Sequence, residues 1–247
     1  MEVHHPHHVT HKKKTSEYIL EFLMLFFAVF LGFIAENVRE NSADHNREKE
    51  FMQSMVEDLK TDTANIHTFY AHANIVIREI DSLMYLIRRP DRDKYGQNMY
   101  YLARVITTGL GRFILVDRTY EEMKSSGSLR LVNDDALSDS ISQYYATQML
   151  FKEQEQLQLQ KMNAYSDFVV KVFDGAVFQQ MLQRYPYKVI APNFNPPLLT
   201  NDKATLDEFV GVLHYYCAII IINSTKAKQQ EASTNSLIKL TGKKYHL

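Results

Sequence analysis

The stretch from Tyr18 to Ala35, YILEFLMLFFAVFLGFIA, constrains this chain more than any other. It holds about 18 residues, and at the helical rise per residue it spans roughly 27 Å, close to the hydrocarbon thickness of a bilayer. Its one charge is Glu21. A cleaved signal peptide would have a shorter apolar stretch and a small-residue cleavage site, and GFIAENVRE offers no A-x-A pattern. A core helix of a soluble domain would carry a polar stripe, whereas Phe22 to Ala35 is apolar all round. The expectation is an uncleaved anchor in the lipid bilayer.

Lys12, Lys13 and Lys14 precede the span, and Arg39, Arg47 and Lys49 follow it among several acids. The tighter basic cluster before the span sets the expected orientation. Residues 1–16 are then expected to be a short His/Lys-rich cytoplasmic tail, 17–40 the transmembrane helix, and 41–247 an extramembrane helical bundle; in a Gram-negative bacterium this means an inner-membrane anchor with a periplasmic domain. Within the span, Ala28 and Gly32 make a small-xxx-small pair with Ala35 on the same side, a spacing that lets helix backbones approach in lipid. Glu21 is an intramembrane carboxylate near the basic end; it reads either as an interfacial group or as part of an ion pathway in an oligomer. In the tail, His4, His5, His7, His8 and His11 are weak metal candidates, and incidental or electrostatic use is the simpler reading.

With 45% hydrophobic residues in 247, the chain can bury a good-sized core beyond the span. A net charge of −1 gives no basic field for nucleic acid. Only 8 Gly and 6 Pro interrupt it, which favours long helices. The expected fold is all-α: the membrane helix continues into an elongated antiparallel four-helix, coiled-coil-like bundle.

No Gly or Pro occurs between Gly32 and Pro90, so one helix can leave the membrane and run outward, with 41–44 as the one soft spot, where Ser42 or Asp44 could cap a restart. A 3-4 spacing follows: Met52, Val56, Leu59, Thr63, Ile66, Tyr70, Ala73, Ile77, Ile80, Met84, Ile87. The helix should end at Arg89, before Pro90. A helix over 97–107 is broken by Gly109 and Gly111. Asp117 is the expected N-cap of a short helix that Gly127 stops, and Asn133 or Asp134 starts the next long one, reaching about Leu182 with a kink at Gly175. Its polar middle, KEQEQLQLQK, reads as a solvated face. Residues 184–202 carry four of the six prolines and form an ordered arm. A last helix starts at 202–205 and runs to about Thr241; its apolar part, 209–222, reads as the most buried helix of the bundle rather than a second span.

Two groups of residues resemble an uncharacterised family of single-span bacterial envelope proteins. One is the Glu21-bearing span with its exit Ala35-Glu36-Asn37-Val38-Arg39-Glu40. The other is Thr119-Tyr120-Glu121-Glu122-Met123-Lys124-Ser125-Ser126-Gly127, followed by Leu129, Leu131, Asn133, Leu137, Ile141 and Tyr144-Tyr145. The resemblance covers about the first 150 residues; this chain lacks the Trp that members often carry at the exit. It implies location and helical build, and no activity. Thr119, Tyr120, Gly127 and Asn133 are explained as a helix corner.

No nucleophile elbow, HExxH or phosphate loop is present. The lone Cys217 lies in an apolar stretch, and His67 and His72 are not spaced to share a helix face. The expectation is a non-enzymatic protein without cofactor. It would act as a structural or interaction subunit, with copies of itself or other membrane-complex subunits as partners. A ligand-sensing bundle working through a partner, and an oligomeric ion pathway lined by the span, are the alternatives.

Overall fold

The structure is a computed structural model, described over residues 14–108 and 115–247, without the side chains of 148 and 149. The histidine tail through His11, Lys12, Lys13, Gly109 and Gly111 lie outside the described residues. Helix accounts for 81% of the structure, and the described residues are all-α apart from one two-residue strand pair. It divides into two compact units, Met1–Glu50 and Phe51–Leu247.

In the first unit, helix α1 (Thr15–Ile87) begins at Thr15 and passes through the apolar span. The expected soft spot at 41–44 stays helical. Side chains ahead of it find partners one turn away: Arg39 donates to Glu36 at 2.9 Å and Asn41 to Asn37 at 3.1 Å, so neither competes for helix backbone. At about 100° per residue, Glu21, Leu25, Ala28, Gly32 and Ala35 fall within an arc of about 80°. Phe22, Phe26 and Phe30 stack on another face, with ring centroids 6.4 and 5.9 Å apart. Among the described residues two helices, α1 and α6 (Lys203–Tyr245), are long and apolar enough to cross a membrane; the apolar window of α1 is wholly exposed, while 39% of that of α6 is buried.

In the second unit, α1 continues to Ile87 and carries an unbroken heptad seam: Met52, Met55, Leu59, Asp62, Ile66, Phe69, Ala73, Val76, Ile80, Leu83 and Ile87 are all buried. Every second position differs by one residue from the apolar spacing expected above. Asp62 accounts for one of these steps: a reading by hydrophobicity alone passes over a carboxylate and takes Thr63 in its place. Val56 is buried as expected, beside Met55, whereas Thr63, Tyr70, Ile77 and Met84 are half-buried flanks. The helix ends at Ile87, shortly before the expected Arg89, and ahead of Pro90 the Arg89 side chain forks onto Asp91 at 2.8 and 3.1 Å.

Helix α4 (Asp135–Val172) and α6 carry matching seams. The polar middle of α4 keeps the phase: Glu155 and Gln158 are half-buried, and Gln158 Oε1 accepts from Asn223 Nδ2 of α6 at 2.7 Å. That stretch is a packing surface, not only a solvated face. In α6 the buried seam starts apolar at Leu206, Phe209 and Leu213 and turns polar at Asn223, Gln230, Thr234 and Thr241.

Two apolar clusters fix the directions. One joins Ala73–Ile87 of α1 with Tyr165–Phe173 and with Leu206–Ile220. The other joins Met52–Leu59 with Leu137–Tyr145 and with Leu237 and Tyr245. Early residues of α1 meet early residues of α4 and late residues of α6, so α1 and α4 run parallel and α6 runs against both. The return from α1 to α4 begins with α2 (Gly96–Val105), whose Met99, Tyr100 and Ala103 lie in the first cluster. It ends with Leu115 and α3 (Arg118–Ser125), in the second. Ile66, Phe69 and Ala227 form a small third cluster.

Helix α4 stops at Val172, earlier than expected. Phe173 turns extended and is fully buried against Tyr100, Phe178 and Phe209, with centroids 4.9 to 5.9 Å away. Asp174 then caps α5 (Gly175–Gln180), so Gly175 opens a new helix instead of kinking the old one. The proline-rich arm starts with strands β1 (Leu182–Gln183) and β2 (Lys188–Val189), paired antiparallel. It is pinned along its length: Gln97 N donates to Asn195 Oδ1 at 3.1 Å, Tyr100 Oη to the Pro197 carbonyl at 3.0 Å, and Leu199 N to the Val172 carbonyl at 2.9 Å. Gly96 permits this approach, because a Cβ there would stand 2.2 Å from the Pro196 carbonyl oxygen.

Candidate functional site

The densest polar constellation in the second unit lies where the return path meets α1. Asp58 and Asp62, one turn apart on α1, are 2% and 0% exposed. Asp58 Oδ1 accepts from Arg118 Nη2 at 2.6 Å; its Oδ2 accepts from Thr119 N at 3.1 Å and Thr119 Oγ1 at 2.5 Å. Arg118 opens α3, so Asp58 anchors the first turn of that helix and takes up one of its unbonded N–H groups. Asp62 Oδ1 accepts from Val116 N at 2.7 Å, and its Oδ2 from Tyr144 Oη of α4 at 2.7 Å. Thr234 Oγ1 of α6 donates to Tyr144 Oη at 3.2 Å. Beside it Thr147 donates to Gln230 Oε1 at 3.1 Å. Three long helices and the return segment thus share one polar layer.

Burial raises Asp62 to about 6; the Val116 N–H and Tyr144 hydroxyl oppose that shift, and the charges of Asp58 and Asp117 add to it. Burial pushes the Tyr144 hydroxyl well above the ordinary tyrosine range, which keeps it a neutral donor. The Tyr145 hydroxyl is raised by burial and by Asp62, Asp58 and Asp117. The Tyr145 ring stacks on Tyr120 with centroids 4.3 Å apart.

Two residues of the expected helix corner, Thr119 and Tyr120, fall in this layer. Thr119 is buried on Asp58, and Tyr120 packs through Tyr145. Gly127 holds φ 70°, the left-handed conformation that lets the chain leave α3. Asp134 caps α4, accepting from Leu137 N at 3.0 Å, and its other oxygen is 3.1 Å from Lys244 Nζ at the end of α6. Asn133 is the exposed residue before it. Asp117 precedes α3 without a side-chain capping bond to it.

The span residues belong to the first unit. Glu21, Ala28, Gly32 and Ala35 are exposed, and nothing lies within 4 Å of where a Gly32 Cβ would be. Sequence reasoning missed Asp58, Asp62 and Thr234. The available signal was that Asp58 and Asp62 sit four residues apart on one helix face, with Asp62 in heptad phase.

No group of three or more His, Cys, Asp or Glu among the described residues is placed to hold a metal ion. His67 Nε2 lies 2.8 Å from Glu231 Oε1, a pairing between α1 and α6. Cys217 is buried, and burial pushes its thiol up to about 11. The oxygens of Asp58, Asp62, Tyr144 and Thr234 are engaged in structural bonds, while the buried Tyr145 hydroxyl finds no hydrogen-bond partner among the described residues. No protein-family model, curated protein or solved structure matches this chain.

Proposed function

We propose that this chain is a non-enzymatic, membrane-anchored structural or interaction subunit of an oligomeric bacterial envelope complex. In this reading the short tail is cytoplasmic, α1 crosses the inner membrane, and the second unit is periplasmic. The family resemblance of the span exit and the helix corner belongs to the same proposal. So does the four-helix bundle: α1 and α4 run one way, and the broken path of α2 and α3, together with α6, runs the other.

The observation that carries the reading is the uncovered apolar window of α1. Its small-residue face, with open space at Gly32, suits close approach of another helix in lipid. Native mass spectrometry from mild detergent tests it. The wild-type chain should be oligomeric or bound to other subunits, and Gly32→Ile should weaken that association. A wild-type chain that is strictly monomeric and partner-free overturns the reading.

A groove of about 450 Å³ between α4 and α6, lined by Ser140, Gln143, Thr147, Gln230 and Ser233, favours the ligand-sensing reading as the second choice. Its test is a ligand-dependent rise in the melting temperature of the full chain.

A further inference from the structure

We propose that Asp62 is a proton-operated latch, which by taking up or releasing one proton sets how firmly the 115–119 segment and α4 are held to α1. The geometry carries this independently of the function proposed above. Asp62 is fully buried in a heptad seam otherwise filled by apolar side chains. It has about four acceptor sites when ionised, and its two bonds come from neutral donors, the Val116 N–H and the Tyr144 hydroxyl.

The charges of the neighbouring described residues do not balance it. Among them Arg118 is the cation of this corner, and it is committed to Asp58, with its own side chain 70% exposed. From α1 Asp58 faces the site, and from the return segment Asp117 and Arg118. α3 and α4 bring the phenols Tyr120, Tyr144 and Tyr145, and α6 brings the neutral Thr234 and Gln230. A buried carboxylate with like charges beside it, and no cation of its own among the described residues, favours the neutral acid. The proton comes from solvent, and one O–H bond forms on Asp62.

The sign follows from the raised titration. The unfolded carboxyl titrates near the ordinary aspartate value of about 4. The stabilising contribution of the protonated form is fully present below that value and is lost as pH rises through about 6. The latch is tight in mild acid and loosened at neutral pH. Asp134 and Asp202, both held below the ordinary carboxylate range, act with the opposite sign and at lower pH. Glu79, raised by burial, acts with the same sign, so the Asp62 variant is the necessary control.

The experiment uses the full chain in mild detergent. Wild type should melt at a higher temperature near pH 5 than near pH 7.5, and Asp62→Asn should lose most of that difference while gaining stability near pH 7.5. Hydrogen exchange at Val116, corrected for its intrinsic rate, should quicken between the same pH values in wild type and not in the variant. Tyr144→Phe removes a donor to the ionised form and should move the midpoint upward. An equal pH response in wild type and Asp62→Asn overturns the proposal. Should Asp62→Asn fail to fold, carboxyl-carbon NMR of the wild-type chain decides: a midpoint near 6 that rises in Tyr144→Phe supports the latch, and an ordinary or unmoved midpoint overturns it.

Discussion

The two ends of the helical unit follow the same heptad spacing and fill it with opposite chemistry. Toward Ile87 the seams bring Tyr100, Tyr165, Phe168, Phe173 and Phe209 together, largely as stacked or edge-to-face rings. Toward Met52 the same spacing admits Asp62, Thr234 and Tyr144, bonded to one another or to backbone. The aromatic end gains from area removed from water, which is large and tolerant of register. The polar end gains little net energy per bond, but each bond has one acceptable geometry, and a slipped helix would leave a buried carboxylate unpaired. One end supplies stability; the other fixes alignment.

The sharpest way to break this contrast is at Phe209, fully buried among Tyr165, Phe168 and Phe173. Phe209→Ala should cost about 3–5 kcal/mol in denaturant unfolding of the full chain. A loss as small as that of a surface substitution would mean that the aromatic end is not the main source of stability. Gly96→Ala comes next: the new methyl meets the Pro196 carbonyl, and about 1–3 kcal/mol should be lost. Proteolysis should then nick the 184–202 arm first. The smallest effect is expected at the polar end, from Asp134→Ala. The Leu137 N–H first and Lys244 second hold that carboxyl below the ordinary range. Its contribution is present above the unfolded value and lost as pH falls through the folded one. The variant should melt slightly lower at neutral pH and lose less stability than wild type in strong acid.

Features set by neighbouring residues were legible in the sequence. Pro90 ends α1, Gly127 takes the left-handed turn, and Asp202 caps α6 by accepting from Thr205 N at 2.8 Å. Each is decided within a few residues. What was hidden depends on distant partners. Asp62 is a seam residue because Val116 and Tyr144 meet it; its phase and Asp58 one turn away mark the position, but nothing local names those partners. Likewise Phe173 ends α4 because Tyr100 and Phe209 offer it a buried place, although the local pattern would carry the helix on toward Leu182. The polar stretch of α4 looked solvated until Asn223 supplied a partner for Gln158. Hydrophobic periodicity finds the apolar half of a seam and is blind to polar positions in phase with it.

The joint at Asp62 also has a consequence in time. Its bonds link stretches 54, 82 and 90 residues apart along the chain. A chain made from its N-terminus therefore exposes Asp62 long before Tyr144 exists, and Thr234 emerges later still. Contacts of such sequence separation are slow to close, because loop entropy is lost before they form. The joint should be among the last parts of the molecule to assemble, and a chain truncated before α6 would leave it without the Thr234 bond to Tyr144.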